Sequence, residues 1–149
     1  MILDSSGGTV STNQHSIRIP SDLDRLVEAE RARNPRMSWS DQVVELLDEA
    51  IRVRRCPGIV FRDGAVGRRA VVEGTGVDVW AVVLAWQDCA AEWDALREEF
   101  SMLDEVQLRA ALNYHALYPS EIDERIARER EWTAERLAAE LPFAQGLPG

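Results

Sequence analysis

The chain reads as a series of short apolar patterns separated by turn residues. From Asn13 the run Gln14-His15-Ser16-Ile17-Arg18-Ile19-Pro20 alternates polar and apolar positions, the period of a half-buried strand, with Ile17 and Ile19 on one face. Pro20 closes that strand. Ser21-Asp22-Leu23-Asp24 is a capping-box-like start, and Leu23, Leu26 and Val27 recur at helical spacing until Asn34-Pro35. A second helix is expected behind the N-cap candidates Ser38 and Ser40. Its wide apolar stripe is Val43, Val44, Leu46, Leu47, Ala50 and Ile51. Cys56-Pro57-Gly58 breaks that helix. Ile59-Val60-Phe61 and Arg69-Ala70-Val71-Val72 flank the turn-rich 63–67 and predict a small hairpin, followed by a bend at Gly74-Thr75-Gly76. Asp78 is placed to cap a helix carrying Val79, Val82, Val83 and Trp86. Two more helices are expected, Ala90 to Phe100 and Asp104 to Leu117, joined through Ser101-Met102-Leu103 as in a helix-turn-helix unit. In the last one, Val106, Leu108, Ala111, Leu112 and Tyr114 are expected to face inward. Ser120 starts a final amphipathic helix with Ile122, Ile126, Trp132 or Thr133, Leu137 and Leu141 on one side, and Phe143 and Leu147 extend the stripe.

The expected class is therefore mainly α with short strands. The divisions are a leader without periodicity (1–12), a strand-helix-helix segment (13–55), a small hairpin and helical domain (56–119) and an amphipathic helix with its tail (120–149). One strand and two helices in about 40 residues cannot satisfy a backbone edge or bury two apolar stripes alone. Two copies can, by pairing their strands antiparallel and enclosing one core with four helices. Such a ribbon fits the major groove, and the face opposite Ile17 and Ile19 carries Gln14, Ser16 and Arg18, residue types that read base edges. The N–H groups and hydroxyls at Ser38 and Ser40 can hold a phosphate at the positive end of the second helix. A strand and two helices that only dimerise is the alternative.

The stretch Ser16-Ile17-Arg18-Ile19-Pro20 through Ser38-Trp39-Ser40-Asp41 to Ala50-Ile51-Arg52 resembles the ribbon-helix-helix DNA-binding domains of bacterial repressors and antitoxins. Trp39 stands where that family usually has a basic or polar residue. The middle segment has Val72-Glu73-Gly74-Thr75-Gly76-Val77-Asp78-Val79, Glu92-Trp93, Ala110-Ala111-Leu112-Asn113-Tyr114 and Tyr118-Pro119-Ser120-Glu121 in order. It is similar to a small bacterial domain-of-unknown-function family found in antitoxins of the VapB class, whose operon partners are PIN-domain ribonucleases. The resemblance implies a type II antitoxin that binds operator DNA as an autorepressor and neutralises its toxin. In that reading residues 120–149 are the toxin-binding segment. One of Arg125, Arg128, Arg130 or Arg136 would enter the acidic, metal-binding pocket of the nuclease and compete with its cation. A stand-alone dimeric repressor without a toxin is the alternative. The apolar face of Ile122, Ile126, Trp132, Leu137, Leu141 and Phe143 suits a helix laid into a partner's groove, or one packed back on its own dimer.

Composition narrows this picture. The 149 residues carry 17 Lys+Arg and 26 Asp+Glu, a formal net charge of −9, and every one of the cations is arginine. Net acidity argues against a chain that coats nucleic acid, while leaving open what one face does. Residues 1–55 come nearest to balance, with 8 Arg against 9 acids. Cys56 and Cys89 lack CxxC spacing, His15 reads as a ribbon-edge or solvated residue, and His115 has no Ser, Cys or second His at useful spacing, so no metal, cofactor or catalytic group is expected. No segment reaches the roughly 20 apolar residues that cross a bilayer, and the first residues lack the features of an export signal. A cytoplasmic, non-enzymatic protein is the expectation.

Overall fold

The computed structural model describes residues 2–3 and 9–140. The chain divides into two compact units, Met1–Leu47 and Asp48–Gly149. Among the described residues the protein is mainly helical, with six helices and two small antiparallel pairs of strands.

In the first unit, β1 (Ile2–Leu3) pairs with β2 (Thr9–Val10) in the register Ile2↔Val10 and Leu3↔Thr9. Backbone pairing therefore falls in the segment 1–12, expected to be a flexible leader without periodicity. Residues 11–20, by contrast, form no strand within the chain, and Ile17 is 70% exposed. The alternating pattern of 14–19 describes two faces but supplies no neighbour for its backbone groups, and a ladder needs one.

Helix α1 (Ser21–Ala32) begins one residue past Pro20, whose φ of −57° and ψ of 144° place it as the N-cap. The Asp24 N–H donates to the Pro20 carbonyl at 2.9 Å. Since no side chain caps this helix, the capping box expected at Ser21 is absent, although Asp22 and Asp24 do sit in the first turn and complement the dipole. Helix α2 (Trp39–Arg55) starts as expected behind Ser38. The Asp41 N–H donates to Ser38 Oγ at 3.1 Å, and that hydroxyl donates to the Asp41 carboxylate at 2.7 Å. Trp39 Nε1 donates to Asp24 at 2.9 Å and so ties the start of α2 to α1. Val27 and Gln42 are the buried residues of these two helices, while Leu23, Leu26, Val44, Leu47 and Ile51 stay 47–64% exposed.

The second unit holds a complete core. After α2, Gly58 turns the chain at φ +91°, and a Cβ there would come within 3.1 Å of Ala110 Cβ. Strands β3 (Ile59–Gly64) and β4 (Gly67–Val72) form the expected hairpin, with the register Ile59↔Val72 through Gly64↔Gly67. Thr75 Oγ1 closes the next bend by donating to the Val72 carbonyl and accepting from the Val77 N–H. Helices α3 (Val79–Asp88), α4 (Trp93–Glu99), α5 (Glu105–Leu117) and α6 (Pro119–Glu140) follow, and α3 packs against α4, α5 and α6. The core combines Ile59 and Val72 with Val79, Val82, Val83, Leu96, Leu108, Ala111, Tyr114, Ile122 and Ile126. Trp80, Trp86 and Trp93 are half-buried at its edge, and the rings of Trp86 and Trp93 meet edge to face at 6.0 Å.

Three details depart from the pattern reading. Helix α4 begins at Trp93 and not Ala90, because Ala90 and Ala91 adopt φ values of 52° and 60°, which no right-handed helix contains. Val106 is 75% exposed, since the first turn of α5 projects past the core that Leu108 and Ala111 fill. Ile122 and Ile126 were expected on a stripe without an intramolecular partner, yet both are buried in the core of their own unit. The α3 helix offers them the apolar cover that a linear reading cannot locate.

Candidate functional site

The residues expected to read DNA lie along the chain before α1 and at the start of α2. Gln14, Ser16 and Arg18 are all exposed, in a segment that forms no strand among the described residues. Ser38 and Ser40 are exposed as well, but the Ser38 hydroxyl is engaged by the cap. The Asp41 carboxylate stands at the same helix end, where a phosphate would otherwise meet free N–H groups. Any anion received there must do so beside a negative charge.

The residues expected to contact a nuclease separate into two groups. Ile122 and Ile126 face inward, whereas Trp132 is 57% and Leu137 53% exposed farther along α6. Of the four arginines, Arg125 pairs with Glu129 at 2.5 Å and stacks 4.8 Å from the Trp80 ring centre. Arg130 pairs with Asp88 at 2.8 Å, and Arg136 pairs with Glu140 at 2.8 Å while lying over Trp132. Arg128 is exposed and forms no ion pair among the described residues. Leu141, Phe143 and Leu147 lie outside the described residues.

A polar cluster that pattern reading missed sits where α2, α5 and α6 meet inside the second unit. The buried Tyr114 hydroxyl accepts from Arg52 Nη1 at 2.8 Å and donates to Glu121 at 2.8 Å, and Arg52 contacts Glu121 directly. Tyr118 stacks beneath the Arg52 guanidinium at 4.2 Å and accepts a hydrogen bond from Arg55. Burial and the neighbouring Glu121 carboxylate push the Tyr114 phenol well above its ordinary range, so it remains a donor. For Arg52, burial disfavours the charge, but Tyr114, Glu121 and Asp48 more than offset it and the guanidinium stays protonated. Its Nε lies 2.9 Å from Asp48 without an aligned hydrogen bond. These partners stand 62 and 69 positions apart in sequence, and no local signal connects them. Arg69 is a second such case: it binds Asp78 at 2.6 Å, so the expected cap residue spends its carboxylate on the hairpin and not on α3.

These contacts brace the helices and the hairpin of the second unit. Among the described residues no set of three or more His, Cys, Asp or Glu side chains is placed to hold a metal ion. Cys56 is buried and Cys89 half-buried, both as free thiols, and burial raises the Cys56 thiol above its ordinary value. His115 Nε2 meets Asp123 at 2.8 Å across the α5–α6 junction. No helix among the described residues is long and apolar enough to cross a membrane. A mainly helical protein with a hairpin-braced helical unit is the class that the fold defines. No family model matches the sequence, no curated protein is significantly similar to it, and no solved structure matches it.

Proposed function

We propose that the chain is a dimeric, operator-binding antitoxin that also neutralises a PIN-domain ribonuclease. One observation carries the proposal: α1 and α2 leave Leu23, Leu26, Val44, Leu47 and Ile51 about half exposed, and the segment 11–20 that precedes α1 forms no strand among the described residues. A second copy answers both deficits. Completing the burial of these five side chains contributes about 1 kcal/mol each, roughly 10 kcal/mol for two copies. That is of the order of the ~4–15 kcal/mol lost in rigid-body freedom on association, so paired backbone groups in residues 13–19 supply the surplus. In the resulting ribbon Gln14, Ser16 and Arg18 of each copy face the groove, and Ser40 lies beside the backbone phosphate. The exposed Trp132 and Leu137 on α6, flanked by Arg128 and Arg136, form the nuclease-facing surface.

Sedimentation of the full chain between nanomolar and micromolar concentration, with binding to DNA from upstream of its own gene, tests the dimer and its target. The expected result is dimerisation coupled to DNA binding, with Arg18→Ala costing about 1–3 kcal/mol and relaxing sequence preference. A stably folded monomer that binds no DNA would overturn the reading. Since Ile122 and Ile126 belong to the core, removing residues 120–149 would unfold the second unit. The nuclease arm is therefore tested with Trp132→Asp combined with Leu137→Asp, which should release the ribonuclease while leaving DNA binding intact. The burial of Ile122 and Ile126 favours one second reading, a stand-alone repressor, because it shortens the face that α6 can offer. Under it the double substitution changes nothing and no nuclease co-purifies.

A further inference from the structure

Helix α3 opens with eight consecutive apolar residues, Val79 to Trp86, so it is apolar on every side. A helix of that kind belongs inside a protein. Val79, Val82 and Val83 are fully buried in the core, but Trp80, Leu84 and Ala85 on its outer side are covered only in part. Between α3 and α4 an open groove of about 730 Å³ lies wholly within the second unit, floored by Ala81, Leu84, Ala85, Ala95 and Phe100. The turn that joins the two helices is fixed. Ala90 and Ala91 hold φ values of 52° and 60°, the Ala91 N–H donates to the Trp86 carbonyl at 2.9 Å, and Cys89 Sγ lies 3.4 Å from the carbonyls of Trp86 and Glu92. The groove is therefore preformed, and little order is lost or gained in filling it.

Its rim is acidic. Asp88, Glu98 and Glu99 line the groove, and among the described residues no arginine does. Asp88 is neutralised by Arg130 at 2.8 Å, whereas Glu98 and Glu99 are exposed and form no ion pair among the described residues. Over the whole of α4, Asp94, Glu98 and Glu99 stand against Arg97 alone, so the surplus is negative, and the chain's net charge of −9 adds to its pull on cations. The same charge opposes a second copy as occupant, because a two-fold interface would set the acidic rim against itself.

We propose that this groove docks an amphipathic helix of a partner protein, with apolar side chains at i, i+3 or i+4 and i+7 and with lysine or arginine beside them. The apolar side chains cover Leu84 and Ala85, and the cations meet Glu98 and Glu99. With its 10 residues α3 is about 15 Å long, which gives roughly three turns of such a helix a surface to lie on. The antitoxin reading puts its nuclease contact on Trp132 and Leu137, which do not line this groove, so either proposal can fail without the other.

Calorimetric titration of the full chain tests it with a synthetic peptide of about 14 residues, built from leucine and lysine in that spacing. One control peptide carries glutamate for lysine, and another has the leucines shuffled so that no apolar face forms. Methyl NMR shifts of Ala81, Leu84 and Ala95 locate the binding. The lysine peptide should bind with a Kd of about 1–100 μM, at least tenfold tighter than either control. Glu98→Gln combined with Glu99→Gln should weaken it about 2- to 30-fold, the range of two exposed ion pairs. Ala95→Tyr fills the groove and should weaken it by about tenfold or more. All three positions are exposed, so unchanged circular dichroism should accompany these losses. The proposal is overturned by no binding of the lysine peptide at about 1 mM, by equal binding of either control, by shifts confined to other surfaces, or by affinity unchanged in both variants. Shifts at Ala81 and Ala95 that follow dilution of the chain alone would also overturn it and give the groove to a second copy.

Discussion

Replacing Tyr114 with phenylalanine removes one oxygen from the centre of the second unit and keeps its shape. That oxygen makes two hydrogen bonds of 2.8 Å, one from the Arg52 guanidinium and one to the Glu121 carboxylate, and its residue is fully buried. Hydrogen bonds to charged groups contribute about 1.5–3 kcal/mol each. The loss should fall below the sum of two, because Arg52 and Glu121 keep their direct contact and their side chains remain 22% and 39% exposed to water. An expected cost of about 2 kcal/mol follows, read from urea denaturation of the second unit by near-UV circular dichroism at pH 7. The pH dependence provides an independent check. In the unfolded chain the phenol ionises near pH 10, whereas in the folded protein its pKa is raised by burial and by Glu121. The wild-type contribution is therefore fully present below pH 10 and declines above it, by up to about 1.4 kcal/mol per pH unit as the unfolded form alone gives up its proton. Tyr114→Phe lacks that decline, so the stability gap between the two proteins should narrow above pH 10. A cost below about 0.5 kcal/mol, or a gap that holds constant to pH 11, would refute the assigned role of this hydroxyl.

Other substitutions probe the backbone and the candidate DNA face. Ala91→Gly should stabilise the protein by about 1 kcal/mol and raise Tm, because Ala91 occupies a left-handed conformation at φ 60° that glycine adopts without steric cost. An unchanged or lowered Tm would contradict that account of the α3–α4 connection. Gly58→Ala should destabilise by about 1–3 kcal/mol in the same denaturation assay, since the new Cβ combines φ +91° with a 3.1 Å approach to Ala110. Asp41→Asn removes the carboxylate at the start of α2 and should raise DNA affinity about 3- to 10-fold at low salt, while costing the helix about 0.3–1 kcal/mol. Unaltered affinity in a salt-resolved binding assay would place the phosphate elsewhere.

Local chemistry accounts for the helices, the hairpin and the break at Cys56-Pro57-Gly58, because periodicity, capping and glycine or proline act within a few residues. The start of α2 behind Ser38 and the hairpin of β3 and β4 followed from short-range signals of this kind. So did the two inward faces of Leu108 and Ala111. Periodicity says that a helix has an apolar side but not what covers it. On α6 one continuous stripe divides between Ile122 and Ile126, enclosed beneath α3, and Trp132 and Leu137, left to solvent. Nor does it pair charges: the bonds joining Arg52 to Tyr114 and Glu121, and Arg69 to Asp78, exist only once distant helices and the hairpin are brought together. The strand expected at 14–19 marks the same boundary from the other side. An alternating pattern sorts side chains onto two faces, but a backbone edge becomes a strand only where another edge meets it, and among the described residues none meets residues 11–20.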